Sequence, residues 1–120
     1  MRIVVCGDRN WTDKSVIKRF IEAYGATVVI HGGCRGADQL AGEVARELKL
    51  TVLEMPAEWS KYGLAAGPIR NQKMLDLNPD AVLAFHSDIQ NSKGTKDMVT
   101  RAKDAGVPVR IISDPKTEWF

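Results

Sequence analysis

The chain has 120 residues and a formal charge of +2, with 44% hydrophobic and 27% charged residues. That balance describes one globular domain and excludes a disordered chain, which needs few apolar groups and a large net charge. It also excludes a bilayer-spanning helix, since no apolar run approaches the ~20 residues needed, and so slight a basic excess identifies no nucleic-acid partner.

Short β-branched runs alternate with helical patterns. Ile3-Val4-Val5-Cys6 is continuously apolar and short, as a buried strand should be. Thr12 or Asp13 can cap a helix whose apolar face is Val16, Ile17, Phe20, Ile21 and Tyr24, closed by Gly25. Thr27-Val28-Val29-Ile30 is a second strand. Ala37, Leu40, Ala41, Val44, Ala45 and Leu48 form the stripe of a second helix. Thr51-Val52-Leu53 is a third strand, and residues 55–67 show no clear period. A connection that long in a compact domain is usually functional or disordered. Ile69 to Leu77 reads as a helix with Pro68 in its first turn, where a missing N–H costs nothing, and Asn78-Pro79-Asp80 ends it. Ala81-Val82-Leu83-Ala84-Phe85 is the fourth strand. Gly94-Thr95 opens a helix with Met98, Val99, Ala102 and Ala105 on one face, closed by Gly106. Val109-Arg110-Ile111-Ile112 is the last strand.

This alternation predicts an α/β fold. It should be a Rossmann-like three-layer arrangement, with a mostly parallel five-stranded sheet and helices on both faces, because parallel strands need crossover connections. Cys6 and Cys34 are too few for a disulfide framework, and the N-terminal apolar run is too short for a signal peptide. The expected compartment is the cytoplasm, with reduced thiols. Two histidines with no acid at ligand spacing predict no metal site.

Ligands of open α/β sheets bind beyond the carboxyl ends of the strands, so the residues that follow each strand matter most. After the first come Gly7, Asp8 and Arg9. After the second comes His31-Gly32-Gly33-Cys34-Arg35-Gly36-Ala37-Asp38. Its glycines allow close backbone approach. The helix behind it offers free N–H groups and a positive dipole end to an anion. Arg35 adds a fork suited to phosphate. Asp38 either caps this helix or accepts from a ribose or base. Neither the dinucleotide fingerprint nor a Walker loop is present. Arg70 sits where a cation opposes the helix dipole, which favours a functional role for it, with Asn71 beside it. Gly94 and Thr95 mark a further helix N-terminus, and Trp59, Tyr62 and His86 can stack on or bond to a base.

Taken together, His31 to Asp38, Trp59 with Tyr62-Gly63, Ala66-Gly67-Pro68-Ile69-Arg70-Asn71, Ala84-Phe85 and Gly94-Thr95 resemble the YspA-type branch of the SLOG superfamily, also designated DUF2493. The resemblance runs over roughly residues 2–112. It implies a single SLOG-like nucleotide-binding domain over residues 1–113, with a C-terminal tail at 114–120. The superfamily includes the Smf/DprA proteins and the LOG phosphoribohydrolases. The LOG active site is similar to Gly-Gly-x-Gly-Thr-x-x-Glu with a helix arginine. Arg70 resembles that arginine and Gly94-Thr95 the Gly-Thr step. Met98 stands where the glutamate would fall, and Ser92-Lys93 where Gly-Gly would.

The leading expectation is therefore a binding protein, a sensor or sequesterer of a nucleotide or nucleotide-sugar, with no cofactor. Its expected ligand-binding residues are Gly7, Asp8, Arg9, Gly32, Gly33, Arg35, Gly36, Asp38, Trp59, Arg70, Asn71, Gly94 and Thr95. The alternative is a nucleotide N-glycosidase, in which Asp38 or Asp8 (or Asp97) replaces the missing carboxylate that oxocarbenium character requires. Single-stranded DNA handling is a weaker alternative, opposed by the sparse Lys/Arg clustering. Trp119-Phe120 forms an apolar pair able to dock on the core or on a second chain, so a homo-oligomer is a further expectation.

Overall fold

The computed structural model describes residues 1–116, and the expected Trp119-Phe120 docking pair lies outside them. The elements run in chain order as β1 (Arg2–Gly7), α1 (Lys14–Ala23), β2 (Val28–His31), α2 (Ala37–Glu47) and β3 (Thr51–Glu54). Then come α3 (Trp59–Tyr62), a 3-10 turn (Gly63–Ala65), α4 (Ala66–Leu75), β4 (Ala81–Phe85), a second 3-10 turn (Ile89–Asn91), α5 (Lys93–Asp104) and β5 (Val109–Ile112).

The sheet order is β3-β2-β1-β4-β5, and every pairing is parallel. The sheet is thus wholly parallel where the sequence predicted mostly parallel. Crossovers between parallel strands are right-handed. The chain first moves outward from β1 to β3, which places α1 and α2 on one face. It then jumps back across β1 to β4, which places α4 and α5 on the other. The side chains of β1 alternate accordingly: Ile3 and Val5 pack with α1 and α2, and Val4 packs with α4 and α5. Phe85 anchors the first face, with Trp11 and Phe20 edge-on at centroid distances of 5.7 and 6.1 Å. Cys6 is buried on the second face, and desolvation pushes its thiol pKa up, so it stays protonated.

Local chemistry explains where the elements start. Asp13, not Thr12, caps α1, accepting from Val16 N–H at 3.1 Å and Ser15 Oγ at 2.6 Å. Ser92 caps α5 by accepting from Thr95 N–H, so that helix begins one residue before Gly94. Gly25 and Gly106 follow α1 and α5 as expected. The stretch 55–67 differs from its aperiodic reading. It contains α3 and a 3-10 turn, and α4 begins at Ala66, three residues before Ile69. Ala66 and Gly67 are buried, and Pro68 fits a first turn whose N–H groups have no helical partner. The run was too short and too mixed to show a helical period.

The Asp13 cap gives a stability prediction. Its hydrogen bonds to Ser15 and Val16 hold the carboxyl pKa below the ordinary value. The stabilisation is therefore present above the unfolded-state pKa and lost as pH falls through the lower folded-state value. Asp13→Ala should cost about 1 kcal/mol near neutral pH. In urea titrations the gap from the parent should close below about pH 4.

Candidate functional site

The strand order reverses between β1 and β4, so the loops leaving their carboxyl ends diverge and open a crevice, the usual ligand position in such sheets. The loop after β1 is held firmly there. Asp8 N–H donates to Phe85 O at 2.9 Å, and Asp8 O accepts from Ala37 N–H at 3.1 Å and from Trp11 N–H at 3.1 Å. The Asp8 carboxylate accepts from Asn10 N–H at 2.9 Å and so serves its own turn. Helix α2 docks onto this loop through Gly36, whose φ is +84°. A Cβ at Gly36 would lie 2.3 Å from Asp8 O, so only glycine fits.

Beside this contact lies a cleft of about 410 Å³, lined by Arg9, Asn10, Trp11, Thr12, Arg35, Gly36, Gln39, Leu40 and Glu43. Two arginines from different loops thus line one cleft with the N-terminus of α2. Arg35 donates to Asn10 Oδ1 at 3.3 Å, which joins the two loops. Glu43 forms an ion pair with Lys14 at 3.4 Å, which offsets its charge at the cleft margin.

The rest of the β2–α2 loop is clamped from both faces of the sheet. Asp38, 5% exposed, accepts from Gly32 N–H at 3.0 Å and Cys34 N–H at 3.3 Å. Arg70 reaches across from α4 and donates through Nη1 to Gly32 O at 2.9 Å, and through Nε to Asn71 Oδ1 at 3.1 Å. A Cβ at Gly32 would fall 2.2 Å from Arg70 Nη1 and 3.0 Å from Asp38 Oδ2, so the clamp requires glycine. Burial raises the Asp38 carboxyl pKa to about 6, while the two N–H bonds and Arg70 pull it down and Glu54 pushes it up. His31, 1% exposed, accepts from Gly33 N–H through Nδ1, and desolvation lowers its pKa, so it stays neutral.

Asn71 is buried and spans two helices: its amide donates to Gly94 O at 3.1 Å and to Asp97 Oδ2 at 2.9 Å. Asp97 also accepts from Arg101 Nε at 2.9 Å. Thr95 is buried beneath them. A second cleft, about 350 Å³, runs along α4 and is lined by Glu54, Met55, Pro56, Glu58, Tyr62, Ala66, Ile69, Arg70 and Lys73. Lys61 and Lys73 stack over the Tyr62 ring at 5.0 and 5.7 Å. Trp59 is 57% exposed and lines neither cleft.

The three expected ligand-binding arginines therefore fall in two separate clefts. Arg9, Arg35 and Gly36 line one cleft, and Arg70 lines the other, with its guanidinium bonded to the Gly32 backbone. Gly7 lies under the first loop, where a Cβ would meet Phe85 O at 2.2 Å. Gly32, Gly33 and Asp38 belong to the clamp, and Gly94 and Thr95 to the start of α5. Asn10, Gln39 and Glu54 escaped the sequence reading. Glu54 had a legible signal, an acid at the carboxyl end of a strand, whereas Asn10 and Gln39 had none. Among the described residues no three His, Cys, Asp or Glu side chains cluster to hold a metal, and no helix is long and apolar enough to cross a membrane.

The Arg70 contact carries a measurable consequence. Arg70→Ala removes a charge-assisted bond to a backbone carbonyl, so it should destabilise the fold by roughly 1.5–3 kcal/mol. Chemical denaturation of the variant checks this, and unchanged stability would mean the guanidinium does not hold Gly32.

Comparisons with known proteins agree with this architecture. The profile of the YAcAr family (YspA, cpYpsA-related SLOG family) matches residues 1–62. The chain is 32% identical over 124 residues to the Gene 61 protein of Mycobacterium phage D29, covering 94% of this chain and 97% of that protein. Among solved structures, DNA processing protein A (DprA) from Streptococcus pneumoniae aligns with a TM-score of 0.56 at 14% identity. That alignment covers 99% of this chain but only 62% of the DprA chain, and it establishes the shared Rossmann-like fold alone. On the family profile and the phage relative, the chain belongs to the YspA, cpYpsA-related SLOG family.

Proposed function

We propose that this protein binds a nucleotide or nucleotide-derived ligand as a sensor or sequestering protein, with the ligand's anionic group in the Arg9–Arg35 cleft. The supporting observation is that cleft itself. Arg9 and Arg35 come from two different loops, those that follow β1 and β2, and line one cleft next to the N-terminus of α2. Membership of a SLOG family points to nucleotide-related chemistry in general. The cleft's volume suits a small molecule.

Met98 is fully buried in the core, so the position that would carry a LOG-type glutamate faces away from solvent. This favours binding over hydrolysis. The hydrolytic alternative retains one supporting feature: Asp38, with its carboxyl pKa about 6, has the character of a general acid. Its two carboxyl-to-backbone bonds commit it to the loop. The unpaired thiols Cys6 and Cys34 suit the reducing cytoplasm.

A thermal-shift panel of mono-, di- and cyclic nucleotides and ADP-ribose-type compounds tests the reading. Ligand at ~100 times its Kd should stabilise by about 2.7 kcal/mol, raising Tm by several degrees. Arg35→Ala or Arg9→Ala should then weaken binding roughly 10-fold or more, the loss of one charge-assisted bond. No shift with any member of the panel overturns the nucleotide reading. Chromatography of the stabilising compound after long incubation separates the classes: intact recovery supports a binder, and free base a glycosidase.

A further inference from the structure

The buried acid in the first turn of α2 supports an inference that rests on the anion site proposed above. Asp38 is 5% exposed and makes no ion pair among the described residues. The cation facing it from α4, Arg70, points its Nη1 at the Gly32 carbonyl instead. Glu54 on β3 presents a second negative charge to it. The remaining titratable groups nearby, Cys6 on β1 and His31 on β2, are both held neutral by burial. An unpaired buried carboxylate opposite another acid is costly to keep ionised.

The hydrogen bonds leave room for a proton. A single oxygen, Oδ2, accepts from both Gly32 and Cys34, so Oδ1 can be protonated without releasing the loop. Asp38 also lies between Gly36 and Gln39, which both line the Arg9–Arg35 cleft. An anion seated there adds a third negative charge to the same end of α2. We propose that an anion entering the Arg9–Arg35 cleft binds together with one proton, taken up by the Asp38 carboxyl, so that affinity rises as pH falls. The balance sits in the accessible range, since the Asp38 pKa is already raised to about 6. A ligand that raises it further draws a proton from solvent near neutral pH, and the affinity then changes by up to about tenfold per pH unit.

Inorganic sulfate is the probe, because its charge does not change over this range. Calorimetry from about pH 5 to about pH 8, in two buffers of different ionisation enthalpy, reads both affinity and proton uptake. The expected result is tighter sulfate binding at lower pH, with uptake approaching one proton. Asp38→Asn keeps an amide oxygen for Gly32 and Cys34 and should flatten the pH dependence. In the unsubstituted protein, the Asp38 carboxyl carbon resonance should titrate at higher pH with sulfate than without, which decides the matter even if Asp38→Asn does not fold. Binding of sulfate with pH-independent affinity, or parent-like pH dependence in Asp38→Asn, overturns the coupling while leaving the anion site standing. No sulfate binding at any pH overturns the anion site, and the coupling with it.

Discussion

All five strands run in the same direction, and that single constraint organises the molecule. Each connection must climb back over a face of the sheet, so each face acquires helices and the central strands β2, β1 and β4 are buried on both sides. It also sends the loops that leave the strands to one edge. The reversal between β1 and β4 then prevents those loops from closing over each other. The crevice and its polar residues follow from strand direction before any particular side chain is considered.

Within that edge, absent side chains matter as much as present ones. The loop after β1 is pressed between Phe85 O and the start of α2, with Gly7 and Gly36 at the two contact points. Gly32 occupies the narrowest place, with an acid from one face on its N–H and an arginine from the other on its carbonyl. The two faces of a three-layer fold seldom touch, because the sheet separates them. Here a single residue beyond the end of β2, Gly32, joins them. The β2–α2 loop is thus held by tertiary contacts, and its charged neighbours are placed with it.

The fold was legible because its signals are local. Continuous apolar runs such as Ala81 to Phe85 read as strands buried on both sides, and stripes such as Val16, Ile17, Phe20 and Ile21 read as one helical face. The strands' exact ends were less clear: β2 extends to His31 and β3 to Glu54, because ladder pairing continues past the apolar residues. The site was legible as a set of loops and not as a set of partners. Arg70 read as a cation in the first turn of its helix, but α4 begins at Ala66 and places it in the second turn; its partner is a backbone carbonyl 38 positions earlier, and no side-chain pattern announces a carbonyl. Asn71 likewise reads as a candidate for contact with a base, yet it is buried between two helices. Residue type can reveal that a polar group has a purpose. Which of several polar groups meets it depends on topology.

Asn71 has a consequence of a different kind. Its amide bonds to the start of α5 and to Asp97, its oxygen receives Arg70, and Asp97 in turn receives Arg101. These four side chains form one chain of donors and acceptors with alternating roles. Removing any one leaves its neighbours facing the wrong kind of group, so the effects of separate substitutions cannot sum. The set behaves as a unit: the cost of a change at one member depends on which residues stand at the others.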